Sequence, residues 1–233
     1  MKTFHVITIH PQFIDAYSQF GVFASAKRQN IASIEAVNLR HFAKDKHGSV
    51  DGSPYGGGDG MVMRPDILGS AIASCPEKAC IITTSPEGIP FDHQEAEALA
   101  NESRDLVFVC GRFAGIDQRF YDCHVEKNFS LGNFVISGGE LAVLSIIDAT
   151  LRLIPGTLGN QASHTQDSFG DDFRGRIEHP QYTKPIEYMG QPVPEVLLSG
   201  NHAAIDTWRE EESLKKTNAW KKRLALKREQ SDT

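Results

Sequence analysis

The chain lacks any apolar run approaching the roughly 20 residues that a membrane-spanning helix needs. Cysteine is scarce, four in 233 residues. Cys75, Cys80, Cys110 and Cys123 form no Cys-x-x-Cys pair or other zinc spacing, which predicts reduced structural thiols in a cytoplasmic protein. There is no Gly-x-Ser-x-Gly nucleophile elbow and no His-Glu-x-x-His pair, so neither serine hydrolase nor zinc protease chemistry is supported. The nine histidines are scattered, and His47, His93 and His124 read as surface or core residues. Glycine at 20 and proline at 11 are ordinary counts that exclude collagen-like and low-complexity chains. The N-terminal MKTFHVITIHPQF, broken by His5, His10 and Pro11, reads as a first strand rather than a secretory signal.

Excess basic charge is also missing. The formal net charge is −6, from 24 basic and 30 acidic residues, which by itself argues against a nucleic-acid partner, because phosphate neutralisation dominates such binding. The charge is unevenly spread, however. Residues 215–228 hold Lys215, Lys216, Lys221, Lys222, Arg223, Lys227 and Arg228 with no acidic residue among them. Such a patch binds RNA even on an acidic protein; the same run also fits a solvated helix face.

What is present is a globular alternation of strand and helix signals. FHVITI, ACIITTS and LVFVCG are strand-like, and continuous apolar runs of this kind belong to strands covered on both faces. Helical periodicity runs over 12–20, 66–74 and 92–103, the last opening at Asp92. A longer helix over 139–153 is apolar at Leu141, Leu144, Ile147 and Leu151 and is stopped by Pro155-Gly156. These signals predict an α/β fold with a mostly parallel sheet. Residues 160–179, in contrast, have few large apolar side chains and read as a linker or a loop that orders on binding. The expected organisation is an α/β domain over 1–158, a polar linker over 159–179, and a small helical domain over 180–233 anchored by Trp208 and Trp220.

Glycine-bearing turns mark where a ligand could sit. Tyr55-Gly56-Gly57-Gly58-Asp59-Gly60 removes three consecutive Cβ atoms, so that backbone can lie flat against a ligand; a flexible surface loop explains it equally. No Gly-Lys-Ser/Thr follows, which excludes a phosphate P-loop. Thr84-Ser85-Pro86-Glu87-Gly88 and Cys110-Gly111-Arg112-Phe113-Ala114-Gly115 each follow a strand. Leu131-Gly132-Asn133-Phe134-Val135-Ile136-Ser137-Gly138-Gly139 leads into the long helix. Ligands of open α/β sheets bind beyond the carboxyl ends of strands, so the three turns are candidates for one pocket. Arg152, on an otherwise apolar helix, needs a partner for its charge. Asp167 fits a helix N-cap as well as a functional carboxylate.

Taken together and in order, YGGGDGM, TSPEG, CGRFAGID, LGNFVISGGE, RLIPGTLGN, DSF, PQYTKP and PEVLLSGNHAAIDTWR resemble the bacterial tRNA (guanine-N1)-methyltransferases, the TrmD family of the SPOUT class. The resemblance runs to about Arg209. It implies an α/β domain with a deep trefoil knot, and a homodimer whose active sites are shared between subunits. S-adenosylmethionine would bind against Thr84, Ser85 and Pro86, against Gly111, Arg112, Phe113 and Gly115, and against Leu131, Gly132, Asn133, Phe134, Val135, Ile136, Gly138 and Gly139. The implied substrate is tRNA methylated at N1 of guanosine 37, with Asp167 as general base and Arg152 stabilising charge on the base. Tyr55, Gly56, Gly57 and Gly58 would lie near the target base, and Lys215, Lys216, Lys221, Lys222 and Arg223 would hold phosphates.

That chemistry suits the residues. Guanine N1 becomes nucleophilic only when its proton is taken, a carboxylate can take it, and a cation stabilises the charge moving onto O6. The chain departs from the family where Phe113-Ala114 stands for Tyr-Glu, Asn133-Phe134 for Asp-Tyr, Ala142 for Pro and Gln181 for His. The glutamate missing at Ala114 is linked in the family to magnesium, so a magnesium requirement stays open. Two other readings remain at this point: a diverged paralogue that methylates another RNA, and a non-catalytic RNA-binding paralogue.

Overall fold

Strand β1 (Lys2–Thr8) is buried continuously from Phe4 to Thr8, the pattern of a strand covered on both faces. A computed structural model describes residues 1–158, 167–170, 173 and 175–231. The chain divides into two compact units, Met1–Gly159 and Asn160–Thr233.

In the first unit the chain passes from β1 through α1 (Pro11–Tyr17) and α2 (Gly21–Arg28) to β2 (Ala32–Asn38). A short 3-10 turn and the small antiparallel pair β3 (Asp51–Gly52) and β4 (Val62–Met63) lead to α3 (Pro65–Ile72). Then follow β5 (Cys80–Pro90), α4 (His93–Asn101), β6 (Leu106–Val109), α5 (Gln118–His124), β7 (Lys127–Ser130) and α6 (Glu140–Leu153). The five long strands form one sheet in the order β2-β1-β6-β5-β7, and every pairing in it is parallel. This agrees with the expected α/β class.

Local chemistry sets the helix boundaries. Pro11 and Pro65 open α1 and α3, where a missing N–H is harmless and φ is preset. Asp92 caps α4 by accepting from Glu95 N–H at 3.1 Å, and Asp117 caps α5 by accepting from Arg119 N–H at 3.0 Å. The α6 helix ends before Gly156, whose φ of +86° a side chain would strain. One face of the sheet packs Phe4, Val6, Ile82, Phe108 and Phe129 against α6 residues Val143, Ile146, Ile147 and Leu151. The other packs Ile7, Val107 and Val109 against Ile67, Leu68 and Phe120. Among the described residues, no helix is long and apolar enough to cross a membrane.

The second unit is organised on one long helix, α8 (His202–Ser231), preceded by the short hairpin β8 (Glu187–Tyr188) and β9 (Gln191–Pro192) and by α7 (Glu195–Leu198). Of the expected linker, residues 159–166, 171, 172 and 174 lie outside the described residues. The rest carries contacts to α8. Phe169 packs on Trp220 with ring centroids 5.5 Å apart, and His179 packs on Trp208 at 6.3 Å. The Ser213 hydroxyl donates to Ile177 C=O at 2.6 Å, while Ile177 N–H donates to the Thr217 hydroxyl at 3.0 Å. Two helix side chains thus satisfy both backbone groups of a residue that has no strand partner.

All four cysteines are free. Burial pushes the Cys110 and Cys80 thiols above their usual range, and Cys123 is exposed. An aqueous maleimide at mildly alkaline pH should therefore label Cys123 in the native protein and reach Cys80 and Cys110 only after unfolding. Equal labelling of all four thiols in the folded protein would contradict the packing described.

Candidate active site

The strand order places the carboxyl ends of β5, β6 and β7 side by side, and the three turns that follow them enclose a cleft of about 230 Å³. Each turn is held by a specific device. In β5 the register against β7 shifts between Thr84 and Ile89, so the intervening residues bulge out of the strand. Gly88 permits this, because a Cβ there would lie 2.4 Å from the Phe129 carbonyl carbon. Asn128 fixes the bulge: it accepts from the Thr83 hydroxyl at 3.1 Å and donates to Ser85 Oγ at 2.8 Å.

The turn after β6 carries Arg112, Phe113, Ala114 and Gly115. Phe113 sits at φ 59°, a left-handed conformation rare for an aromatic residue and one that persists where its surroundings enforce it. Here the surroundings are the stem of the glycine-rich loop. Ala114 N–H donates to Met61 C=O at 2.8 Å and Met63 N–H donates to Gly115 C=O at 2.9 Å. The loop itself places Gly56, Gly57, Gly58 and Gly60 at positive φ and leaves Tyr55 fully exposed.

The third turn runs from Leu131 to Gly139 and is bound to the second. Gly139 N–H donates to Gly111 C=O at 2.9 Å, an approach that only a glycine allows, because a Cβ at 139 would lie 2.9 Å from Gly111 N. Beneath them is a buried ion pair. Arg112 meets Glu140 at 2.7 Å through Nη2–Oε2 and at 3.1 Å through Nε–Oε1. The Thr8 hydroxyl donates to the same carboxylate at 2.6 Å, and Arg112 Nη1 donates to Ser137 C=O at 3.1 Å. Glu140 is 2% exposed and is the first residue of α6, where a negative charge also meets the positive end of the helix.

The cleft is lined by all of the residues expected to touch the cofactor except Asn133, together with Ala114, Ile116, Tyr121, Phe129, Ser130, Ser137 and Ala142. Burial pushes the Tyr121 hydroxyl above its usual range, with the Glu87 carboxylate adding to the effect and a hydrogen bond to Thr83 opposing it. The residue types suit a nucleoside joined to an amino acid: aromatic and branched side chains offer flat apolar cover, and serine and threonine hydroxyls with glycine backbone offer polar partners. Sequence reasoning missed Asn128 and Glu140, which support the cleft from behind. Glu140 was legible as an acidic residue at a helix start, but nothing in the sequence pairs it with Arg112.

Arg152 is not beside this cleft. It lies in the last turn of α6, and ten residues of helix from Ala142 correspond to roughly 15 Å of rise. One turn before it stands Asp148, whose carboxyl burial pushes upward while the Arg152 charge pulls it down. Asp167 belongs to the second unit, in a turn where its C=O accepts from Gly170 N–H at 3.0 Å. On α8, Lys215 pairs with Glu212 at 2.6 Å, Lys216 is half-buried, and Lys221, Lys222 and Arg223 are exposed. Among the described residues, no group of three or more histidine, cysteine or acidic side chains is arranged to hold a metal ion.

A family model described as tRNA (Guanine-1)-methyltransferase TrmD matches residues 1–229, beyond Arg209 where the motif resemblance stops. The chain is 46% identical over 213 residues to a tRNA (guanine-N(1)-)-methyltransferase of Exiguobacterium sibiricum, covering 91% of this chain and 86% of that protein. It is 44% identical to the enzyme of the same name from Nocardia farcinica, covering 91% and 92%. It is 42% identical to that of Geobacter sulfurreducens, covering 99% and 94%.

Replacing Glu140 with alanine strands Arg112 and Thr8 beneath the cleft. The expected loss of unfolding free energy is on the order of 3 kcal/mol, the scale seen when one partner of a buried pair is removed. Urea denaturation measures it, and a loss below about 0.5 kcal/mol, as at a surface pair, would contradict a supporting role for this pair.

Proposed function

We infer the activity from this starting point: the chain belongs to the tRNA (guanine-1)-methyltransferase TrmD family, and it methylates N1 of a guanine in tRNA with S-adenosylmethionine as methyl donor. We propose further that the guanine is guanosine 37, that the cleft formed after β5, β6 and β7 holds the cofactor, and that two copies of the chain share each active site in the cytoplasm. The family's trefoil-knotted topology belongs to the same proposal. The convergence of three glycine-bearing turns on one cleft carries it, because those turns are the ones the family resemblance assigns to the cofactor.

Asp167 accepts the proton from guanine N1, leaving the nitrogen lone pair free to attack. Arg152 stabilises the negative charge that this shifts onto O6. S-adenosylmethionine supplies a methyl group on a sulfonium, so leaving-group activation is not required of the protein. What remains for Thr84 to Pro86, Gly111 to Gly115 and Leu131 to Gly139 is alignment of donor and acceptor. Arg152 stands roughly 15 Å of helix rise from Ala142 of the cleft and is absent from its lining, which fits a site completed by a second copy. The exposed Lys221, Lys222 and Arg223 supply the local positive charge that tRNA phosphates need.

Replacing Asp167 with asparagine should reduce the methyl-transfer rate by about 100-fold or more, with cofactor binding by calorimetry unchanged; unchanged turnover would remove the general base from this account. Mixing an Arg152→Ala protein with a Gly139→Val protein, each inactive alone, should restore partial activity through mixed dimers, and no recovery would contradict a shared site. Changing Lys221, Lys222 and Arg223 together to alanine should weaken tRNA binding and lower the salt slope of log Kd by about 2–3, whereas an unaltered slope would return the run to a solvated face.

A further inference from the structure

The general base stands on a turn that the second unit holds by an aromatic contact rather than by secondary structure. Phe169, two residues after Asp167, is at φ 72°, again a left-handed aromatic that requires external support. Its N–H donates to Arg176 C=O at 2.7 Å, and Gly170 N–H closes the turn onto Asp167 C=O. The Phe169 ring lies against Trp220 at 5.5 Å with a 56° tilt. Ser168 Oγ accepts from Glu178 N–H at 3.1 Å, and the preceding residue, Ile177, is bound at both backbone groups by Ser213 and Thr217. Arg176 reaches Glu210 at 3.0 Å.

These anchors form a stripe on α8. Ser213, Thr217 and Trp220 recur at helical spacing, with Ser213 and Thr217 buried and Trp220 half-buried, so they share one face. Trp208, nearer the start of the helix, serves His179 and Tyr182 instead. Trp220 is therefore the side chain of this stripe that bears on the turn carrying the carboxylate.

We propose that Trp220 is a positioning residue for methyl transfer, holding the Asp167 turn in place through Phe169. The proposal rests on the reading of Asp167 as the general base. It contacts neither base nor cofactor; it narrows the set of positions from which Asp167 meets guanine N1. Positional freedom of about 1 Å at a reacting group lowers rate by up to about 100-fold.

The test is steady-state and single-turnover methyl transfer by the full chain. Trp220→Ala should lower kcat by roughly tenfold or more while the KM for S-adenosylmethionine and the Kd for tRNA stay within about twofold. Trp220→Phe, which keeps a ring against Phe169, should recover most of the rate. On an Asp167→Asn background, Trp220→Ala should cause no further loss, because residues acting through one group are non-additive. An unchanged kcat overturns the proposal, as does a loss confined to tRNA affinity, a loss Trp220→Phe does not rescue, or one that multiplies with that of Asp167→Asn. An active Asp167→Asn protein instead overturns the base assignment, so the two failures are distinguishable.

Discussion

The Arg112–Glu140 pair, with Thr8 bound to the same carboxylate, is the constraint on which the cleft depends. It joins the end of β1, the turn after β6 and the first residue of α6, three places far apart in sequence. A charged pair taken out of water contributes little net stability but strongly disfavours arrangements in which either partner is left alone. The glycine at 138 follows from it. A Cβ at 138 would fall 2.1 Å from Arg112 Nε, so the guanidinium can lie beneath the turn only when that turn has no side chain. The cleft is thus a consequence of how a buried charge is satisfied.

The second unit solves a different problem. A segment poor in large apolar residues cannot anchor itself by burial, and its described residues belong to no strand. Helix α8 supplies what is missing through two hydroxyls for the backbone and two tryptophans for the few rings available. The arrangement leaves Lys221, Lys222 and Arg223 exposed, so under the proposed function one element would both fix the base and offer charge for phosphates.

Much of the first unit was legible because its central strands are buried: β6 and the inner parts of β1 and β5 read as apolar stretches, and α6 shows a helical stripe. Strand β2, ASIEAVN, lies at the edge of the sheet and is only partly buried, and β7 is four residues with a polar start; neither carries that signal. The three turns could be read as candidates for one pocket because they follow strands or precede a helix, and the strand order explains why they meet. The Arg112–Glu140 pair, the Asn128 bridge and the hydroxyl stripe of α8 were not legible. Each depends on contacts between residues distant in the chain, and each uses polar side chains whose sequence signal is that of ordinary surface.

The most direct test of the account identifies the product. Unmodified tRNA bearing guanosine 37, and a counterpart bearing adenosine there, are incubated with the protein and labelled S-adenosylmethionine, then digested to nucleosides and separated. The account predicts label in N1-methylguanosine from the first tRNA and none from the second. Label on another atom or nucleoside, equal label in both tRNAs, or no transfer by a protein that still binds cofactor and tRNA would contradict it.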